Sequence, residues 1–468
     1  MYFNSIFFFL TLLPFLAFYY ASKNKSSGAT KVVTLIYSYF FYGMWNPSFL
    51  LLIMASTITD YWAARGVSVY PQWKKIFLIS SLVINLGLLG FFKYYNFFID
   101  TITYFLHSVG IPWSPPMLNV ILPVGISFYT FQTLSYTIDV YRGRIPAERN
   151  LLDIAVFVAF FPQLVAGPIV RASDFLPQLS KEQIIRKKDI AHGLLLILFG
   201  LFLKDVVADN IAPRVNSLFE NWQTNGIADN WAAAMLFGIQ IYGDFNGYSL
   251  IAIGLAKILG FNVLQNFKAP YAASGFSDFW RRWHISLSTW LRDYLYISLG
   301  GNRKGRFRTY RNIMITMLLG GLWHGEGFMF IIWGALHGVY LCIERLLKQF
   351  VNITFENPIK RRLLQPLVIV LTYLTVSITW IPFRSVTAEQ GIGMMKGLFC
   401  GNFILNNELI KDYVVIIVVF LCHCASRWHD FFMYIDRNST VLFAVVTIII
   451  LCLYYCSGDR SEFIYFRF

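Results

Sequence analysis

The chain has 468 residues, of which 57% are hydrophobic and 14% are charged, and its formal net charge is +14. Because a soluble domain usually has about 25% charged residues, this composition excludes an ordinary soluble protein and favours one that folds in a lipid bilayer. A large positive charge can indicate a nucleic-acid partner, but in a membrane protein it is typical of cytoplasmic loops that meet anionic headgroups. We therefore expect membrane lipids as partners and no nucleic acid.

Apolar stretches long enough to span the bilayer recur along the chain. A spanning helix needs about 20 mostly apolar residues, and stretches of this length are too long for barrel strands. No basic residue precedes the first stretch and lysines follow it, so we expect a span rather than a cleaved leader, with the next loop in the cytoplasm. The predicted spans are 2–21, 32–58, 76–92, 118–138, 231–255, 327–347, 363–381, 412–424 and 441–456. They predict an all-α polytopic membrane protein with a single domain over residues 1–468.

Two places in the apolar sequence depart from a plain spanning helix. Residues 161–168 contain two prolines and a glycine, so the helix must break or re-enter there, and such backbone survives at membrane depth only inside protein or beside a watery cavity. Asp244 lies between Gly243 and Gly247 in a long apolar run. A carboxylate there is costly unless it faces a cavity or a partner.

Residues 274–311 are dense in Arg, Lys, Trp, Tyr and Gly. This composition predicts an amphipathic segment at the cytoplasmic interface, with Trp280, Trp283 and Trp290 as anchors at headgroup level.

The cysteines lie mostly in apolar stretches, where they behave as small hydrophobic residues rather than as a disulfide framework. Cys422, His423, Cys424 and His429 come close together, but their spacing fits no standard zinc site. We expect no metal site.

Histidines in apolar sequence are the strongest candidates for chemistry. His324 lies among glycines that let a substrate approach, and an imidazole can take a proton from a hydroxyl near neutral pH. A single such histidine could equally hydrogen-bond across helices. His284, beyond a basic region, strengthens the catalytic interpretation, whereas His337 is interpreted as packing.

A glycine-rich basic loop lies between the two candidate histidines. Arg303, Lys304 and Arg306 follow Gly300 and Gly301, and such a turn can hold phosphate oxygens through backbone amides and charged side chains. Contact with anionic lipid explains the loop equally well. Its position favours a phosphate-bearing donor such as coenzyme A. No nucleophile elbow, HExxH motif or carboxylate pair supports a hydrolase.

Several segments together resemble one family, the membrane-bound O-acyltransferases, and within it the bacterial branch typified by the membrane subunit of alginate O-acetyltransferase. The segments are 122–132, 161–171, 204–210, 278–305, 319–325 and 463–466. The resemblance implies that His324 is the essential catalytic histidine and His284 a supporting one. It also implies a ring of transmembrane helices with re-entrant segments around a central tunnel.

The same resemblance implies a reaction and partners. An acyl group, acetyl in this branch, moves from a cytoplasmic thioester such as acetyl-CoA or an acylated carrier protein across the bacterial cytoplasmic membrane toward hydroxyls of a cell-surface polysaccharide. An extracytoplasmic acetyltransferase partner completes the transfer, and residues 463–468 resemble a segment used in that hand-over. Asn246 and Leu250 replace the Ser and Asp usual in the alginate type, which leaves the polymer open.

Three alternatives stay open. D-alanyl transfer to teichoic acid would use the same kind of site with a carrier-protein donor. A transporter or flippase would also need broken helices and a buried Asp244. A scaffold of a glycan-secretion complex would contain the histidines for structural reasons only.

Overall fold

The structure is a computed structural model that describes residues 2–113, 115–118, 121–165, 167–350, 358–428, 439–459 and 463–464. Within these ranges the regular elements are helical and no β-strand occurs, which confirms the predicted all-α class. The chain forms two compact units, one comprising Met1–Ile197 and Ile251–Leu264, the other Leu198–Leu250 and Gln265–Phe468. The single domain over residues 1–468 stays a prediction.

The first unit is built mainly from the amino-terminal half of the chain. Its helices are α1 (Ile6–Lys23), α2 (Ser27–Gly43), α3 (Phe49–Val69), α4 (Lys74–Leu89), α5 (Tyr95–Ser108), α6 (Ile126–Tyr141), α7 (Leu151–Ala159), α8 (Phe161–Leu164), α9 (Ala172–Leu179) and most of α10 (Lys187–Leu201). A π-helical segment, Gly90–Tyr94, joins α4 to α5. The last residues of α12, described below, also belong to this unit.

Two predicted spans in the first unit have the wrong bounds. The stretch 32–58 is not one span, because the chain leaves helical conformation between α2 and α3. The span predicted at 118–138 has no helix among its described residues before Ile126. Pro123 lacks an N–H, and Gly125 adopts a φ of 77°, where an added Cβ would overlap the carbonyl oxygen of Leu164.

The break predicted at residues 161–168 is confirmed for the residues that the structure describes there. Helix α7 ends at Ala159, α8 is a single short turn, and regular helix resumes only at Ala172. Residues 161–165 and 167–170 are buried, while Ala166 lies outside the described residues. Burial inside protein is the environment that irregular backbone needs at membrane depth.

The second unit contains the end of α10, a π-helical segment at Phe202–Ala208, and the helices that follow. They are α11 (Asp209–Glu220), α12 (Ile227–Ile258), α13 (Phe276–Trp280), α14 (Ile285–Trp290), α15 (Arg306–His324), α16 (Phe328–Phe350), α17 (Pro358–Arg384), α18 (Ala388–Gly397), α19 (Asn407–Trp428) and α20 (Ser439–Tyr455).

The interfacial role predicted for the tryptophans of residues 274–311 is wrong for two of the three. Trp283 is 1% exposed and Trp290 is 7% exposed, whereas Trp280 is half-buried. The ring of Trp283 lies 4.9 Å from that of Trp380 and 5.0 Å from that of Phe267. Trp283 therefore packs against aromatic side chains of the protein rather than anchoring at the headgroups.

Six helical stretches in the described ranges are long and apolar enough to cross a membrane. They are Ile6–Lys23, Pro71–Ser108, Lys187–Glu220, Phe328–Gln349, Leu364–Arg384 and Asn407–Arg427. The sequence interpretation missed Lys187–Glu220, whose apolar run is interrupted by charged residues. The chain is thus an all-helical polytopic protein, and the ring and central tunnel stay predictions.

Candidate active site

His324 is the last residue of α15, and it is 3% exposed. Its ring lies 4.9 Å from that of Trp333, 5.0 Å from Trp323 and 5.4 Å from Phe383. These three rings form what we call the aromatic enclosure. An environment of this kind excludes water, which strengthens electrostatic interactions with any group bound beside the imidazole.

Two glycines set the position of His324 by bringing α15 against α16. A Cβ on Gly321 would overlap the carbonyl oxygen of Phe330, and one on Gly334 would overlap that of Met317. Small residues at such a crossing let helix backbones approach closely, as they commonly do in membrane proteins. Of the glycines next to His324 in the sequence, Gly321 therefore serves helix packing.

His284 reaches the same region from a different element. It directly precedes α14, it is fully buried, and its backbone adopts φ 44° and ψ 55°. A non-glycine residue in this left-handed region costs of order 1–3 kcal/mol and persists only where its surroundings fix it. One such fixing contact is the bond from the N–H of Ile285 to the carbonyl oxygen of Asn266, at 2.9 Å.

The side chain of Asn266 fixes the tautomer of His284. Its Oδ1 accepts bonds from the Ser286 N–H at 3.2 Å and from the Ser286 hydroxyl at 3.0 Å. Because a backbone N–H can only donate, the Asn266 atom that faces it must be the oxygen. His284 Nδ1, 3.2 Å from the same oxygen, must therefore carry a proton and donate it. Nε2 is then the acceptor nitrogen of a neutral ring.

The structure brings the two predicted catalytic histidines together. The ring centroids of His284 and His324 are 6.3 Å apart, and the His284 ring is also 6.0 Å from that of Trp323. Both imidazoles are buried, and 39 residues of sequence separate them. Two buried imidazoles beside one aromatic enclosure can exchange a proton with a hydroxyl and stabilise the charge that develops.

The costly carboxylate of Asp244 has a charged partner. Lys204, on the π-helical segment, places Nζ 2.8 Å from Asp244 Oδ1 and 2.7 Å from Asp209 Oδ1. We call Lys204, Asp209 and Asp244 the lysine cluster. Gly247 permits the contact, because a Cβ there would lie 2.7 Å from the carbonyl oxygen of Gly200. The predicted partner therefore exists, and it is a lysine.

The predicted donor-binding residues are not next to the histidines. Arg303, Lys304 and Arg306 are exposed, and Arg306 begins the helix that His324 ends. The 19 residues of α15 make 18 steps, so at about 1.5 Å a step the loop lies about 27 Å from His324. Any donor held at both places must be long and extended.

His337, interpreted from the sequence as a packing residue, is fully buried outside the histidine pair. Its ring is 4.7 Å from that of Trp333, and its Nε2 lies 3.1 Å from the hydroxyl of Thr379. Since that hydroxyl donates to the Val376 carbonyl oxygen, the histidine is the donor toward it. His423 is likewise bonded locally, with Nδ1 2.9 Å from the Val419 carbonyl oxygen, while His429 lies outside the described residues.

Sequence reasoning assigned no role to two residues that shape the site. Asn266 follows α12 as an ordinary polar residue in a loop. Lys204 stood within a segment of the family resemblance, yet its apolar context, the same signal that singled out Asp244, was available for it too. The pairing of Lys204 with Asp244 could not be predicted from the sequence without knowing that α12 contacts the π-helical segment.

The fold defines a polytopic, all-helical membrane protein, and two buried imidazoles lie together in its second unit. The chain belongs to the membrane-bound O-acyltransferase family, whose family model matches residues 36–380. It is an O-acyltransferase, as the resemblance implied.

Three relatives with different named activities are similar to this chain. The probable alginate O-acetylase AlgI of Pseudomonas aeruginosa is 44% identical over 400 residues, 85% of this chain and 74% of that protein. The peptidoglycan O-acetyltransferase of Helicobacter pylori is 32% identical over 501 aligned residues, 98% of this chain and 90% of that protein. The teichoic acid D-alanyltransferase of Bacillus subtilis is 29% identical over 241 residues, 49% of this chain and 60% of that protein.

Proposed function

We propose that the chain transfers an acetyl group from a cytoplasmic thioester to a hydroxyl destined for a cell-surface polysaccharide, in the cytoplasmic membrane of a bacterium. The observation that supports this most strongly is the pair of buried imidazoles, 6.3 Å apart, beside the aromatic enclosure. Acetyl rather than D-alanyl transfer is favoured because the relatives named as acetyl-transferring match most of the chain, and the D-alanyltransferase matches about half.

In the proposed reaction His324 is the general base. It takes the proton of the acceptor hydroxyl while that oxygen attacks the thioester carbonyl carbon. The carbon–sulfur bond then breaks, and the sulfur leaves as a thiol after taking the proton from His324. His284 supports the step, because its Nε2 acceptor stabilises the positive charge that develops on the imidazole of His324.

The donor is acetyl-CoA in this proposal, and Arg303, Lys304 and Arg306 bind its phosphates. Their exposure and charge suit phosphate oxygens. Since these residues and His324 lie at opposite ends of α15, the extended pantetheine arm is the part of the donor that would bridge them. An extracytoplasmic acetyltransferase partner accepts the group or directs it to the polysaccharide.

Thiol release from acetyl-CoA by the purified protein in lipid nanodiscs, with a polysaccharide added as the hydroxyl acceptor, tests this function. We expect His324→Ala to reduce release by at least a hundredfold, the contribution typical of general base catalysis. The matched control is His107→Ala, an exposed histidine of the first unit, which should leave release unchanged. Equal rates for His324→Ala and the wild type would refute the proposal. Preference for a D-alanyl carrier protein over acetyl-CoA would replace it with D-alanyl transfer.

A further inference from the structure

The lysine cluster combines one positive and two negative side chains inside the protein. The side chains of Lys204, Asp209 and Asp244 are 1%, 0% and 2% exposed. One ammonium group cannot balance two carboxylates, so oxygens of the cluster need additional donors if they are to remain charged without water. An N–H group from another part of the chain can therefore stabilise the cluster by donating to a carboxylate oxygen.

The chain supplies that donor from residues far along the sequence. The N–H of Ile464 donates to Asp244 Oδ2 at 2.6 Å. The preceding side chain, Phe463, is fully buried, and its ring lies 4.3 Å from that of Tyr248. Residues 463–464 are thus held by a charge-assisted hydrogen bond and by aromatic packing, both on α12.

A second attachment holds the segment that leads there from α20. The N–H of Gly458 donates to the carbonyl oxygen of Asp205 at 2.9 Å, and Asn210 Nδ2 donates to that of Cys456 at 2.6 Å. A Cβ on Gly458 would lie 2.8 Å from the backbone nitrogen of Asn210. The segment after α20 therefore binds the same stretch of chain that carries Lys204 and Asp209.

The ring of Phe245 lies between this attachment and the proposed site. The ring of Phe245, next to Asp244 in the sequence, lies 6.1 Å from that of Phe463. It also lies 4.6 Å from the ring of His284, edge to face at 86°. A displacement of Phe463 would remove support from Phe245, and Phe245 is a neighbour that restrains the His284 ring.

We propose that the lysine cluster is an anchoring site for the chain's own residues 463–464. In this proposal Asp244 and Lys204 are positioning residues. They hold Phe463 against Phe245 and thereby keep His284 in place. The effect on turnover rests on the proposed function, whereas the anchoring itself does not.

Two variants break the contact from opposite sides. Asp244→Asn weakens the acceptor and the ion pair. Ile464→Pro removes the donating N–H and leaves all three charged side chains unchanged, so it tests the contact even if Asp244→Asn fails to fold. Each has a matched control. Ile464→Ala keeps the N–H, and Asp412→Asn breaks an ion pair with Arg214, 2.8 Å long, elsewhere in the second unit.

Hydrogen–deuterium exchange of peptides covering residues 456–468 measures the anchoring, because exchange reports local opening. We expect both test variants to speed this exchange at least tenfold, and to slow acetyl-CoA turnover between about fivefold and a hundredfold through kcat with little change in KM. Ile464→Ala, which keeps the N–H but loses a buried side chain, should speed the exchange less than Ile464→Pro does, and Asp412→Asn should change neither measurement. Unchanged exchange in Ile464→Pro would overturn the anchoring, and faster exchange with unchanged turnover would overturn the positioning role. If the wild type does not turn over acetyl-CoA, the proposed function fails while the exchange result still decides the anchoring.

Discussion

The tautomer of His284 depends on one side chain, and Asn266→Ala tests that dependence. The substitution removes the oxygen that accepts bonds from His284 Nδ1 at 3.2 Å and from Ser286 at 3.2 and 3.0 Å. Each of the three lost bonds contributes about 0.5–1.5 kcal/mol, so the variant should lose about 1.5–4.5 kcal/mol of stability. A buried N–H without an acceptor costs about 1–3 kcal/mol, which is the amount by which the Nδ1–H tautomer is disfavoured.

A tautomer shift of that size should lower kcat between about fivefold and a hundredfold, since about 1.4 kcal/mol is a factor of ten. Asn266→Asp retains the acceptor and should keep more activity than Asn266→Ala. Its carboxylate favours the imidazolium and so raises the pKa of His284, which should move the acid limb of the pH–rate profile to higher pH.

The assay is thiol release from acetyl-CoA as a function of pH, with enzyme amounts normalised to folded protein. Asn230→Ala is the matched control, because Asn230 is also buried in the second unit and its Nδ2 bonds locally to the Gly226 carbonyl oxygen. Wild-type kcat and an unchanged pH profile in folded Asn266→Ala would refute the tautomer argument.

Three further predictions concern packing, pH and donor binding. Gly321→Ala should destabilise the protein by about 1–3 kcal/mol through overpacking, which should lower its Tm, and it should reduce turnover. Gly327→Ala, whose Cβ would meet an atom only at 3.9 Å, should do neither, and equal Tm values would contradict the packing account. Burial alone would raise the pKa of Asp278, but hydrogen bonds from Ser274, Arg427 and Arg282 lower it to about 2. The stability that this carboxylate adds is present above its ordinary pKa of about 3.9 and is lost as pH falls toward 2. Asp278→Asn should therefore lower Tm at pH 7, with a difference from the wild type that shrinks between pH 4 and pH 2; a difference independent of pH would contradict this. Arg303→Ala with Lys304→Ala should lower kcat/KM for acetyl-CoA severalfold at low salt, and the loss should shrink at high salt because exposed charges are screened. Lys25→Ala serves as the charge control, and equal loss in it would point to non-specific attraction.

Much of the fold followed from composition, since long apolar runs with few charges leave helices as the expected structure. Where the structure differs from the predicted helices and anchors, the causes are local. The stretch at 32–58 reads as one apolar run, yet the chain turns between α2 and α3 without a charged residue to mark it. A segment rich in tryptophan, such as residues 274–311, can have the same composition at a membrane interface and in a protein core. Only the neighbours of Trp283 distinguish the two.

The candidate site was predictable where one residue was unusual in its own surroundings. His324 and His284 stood out for that reason, and the structure brings their rings to within 6.3 Å. Asn266 did not stand out, because its importance comes from His284 and Ser286, which lie 18 and 20 residues away. The bond between Ile464 and Asp244 crosses 220 residues, and no local pattern predicts a contact of that kind.

The most direct test of His324 as the general base of the transfer is the O-acetyl content of the cell-surface polysaccharide in a strain carrying His324→Ala. The variant protein must be present in the membrane at wild-type abundance, as measured by immunoblot. We expect O-acetylation to be lost at that abundance. O-acetylation at the wild-type level, or a loss that only follows reduced abundance, would contradict a catalytic role for His324.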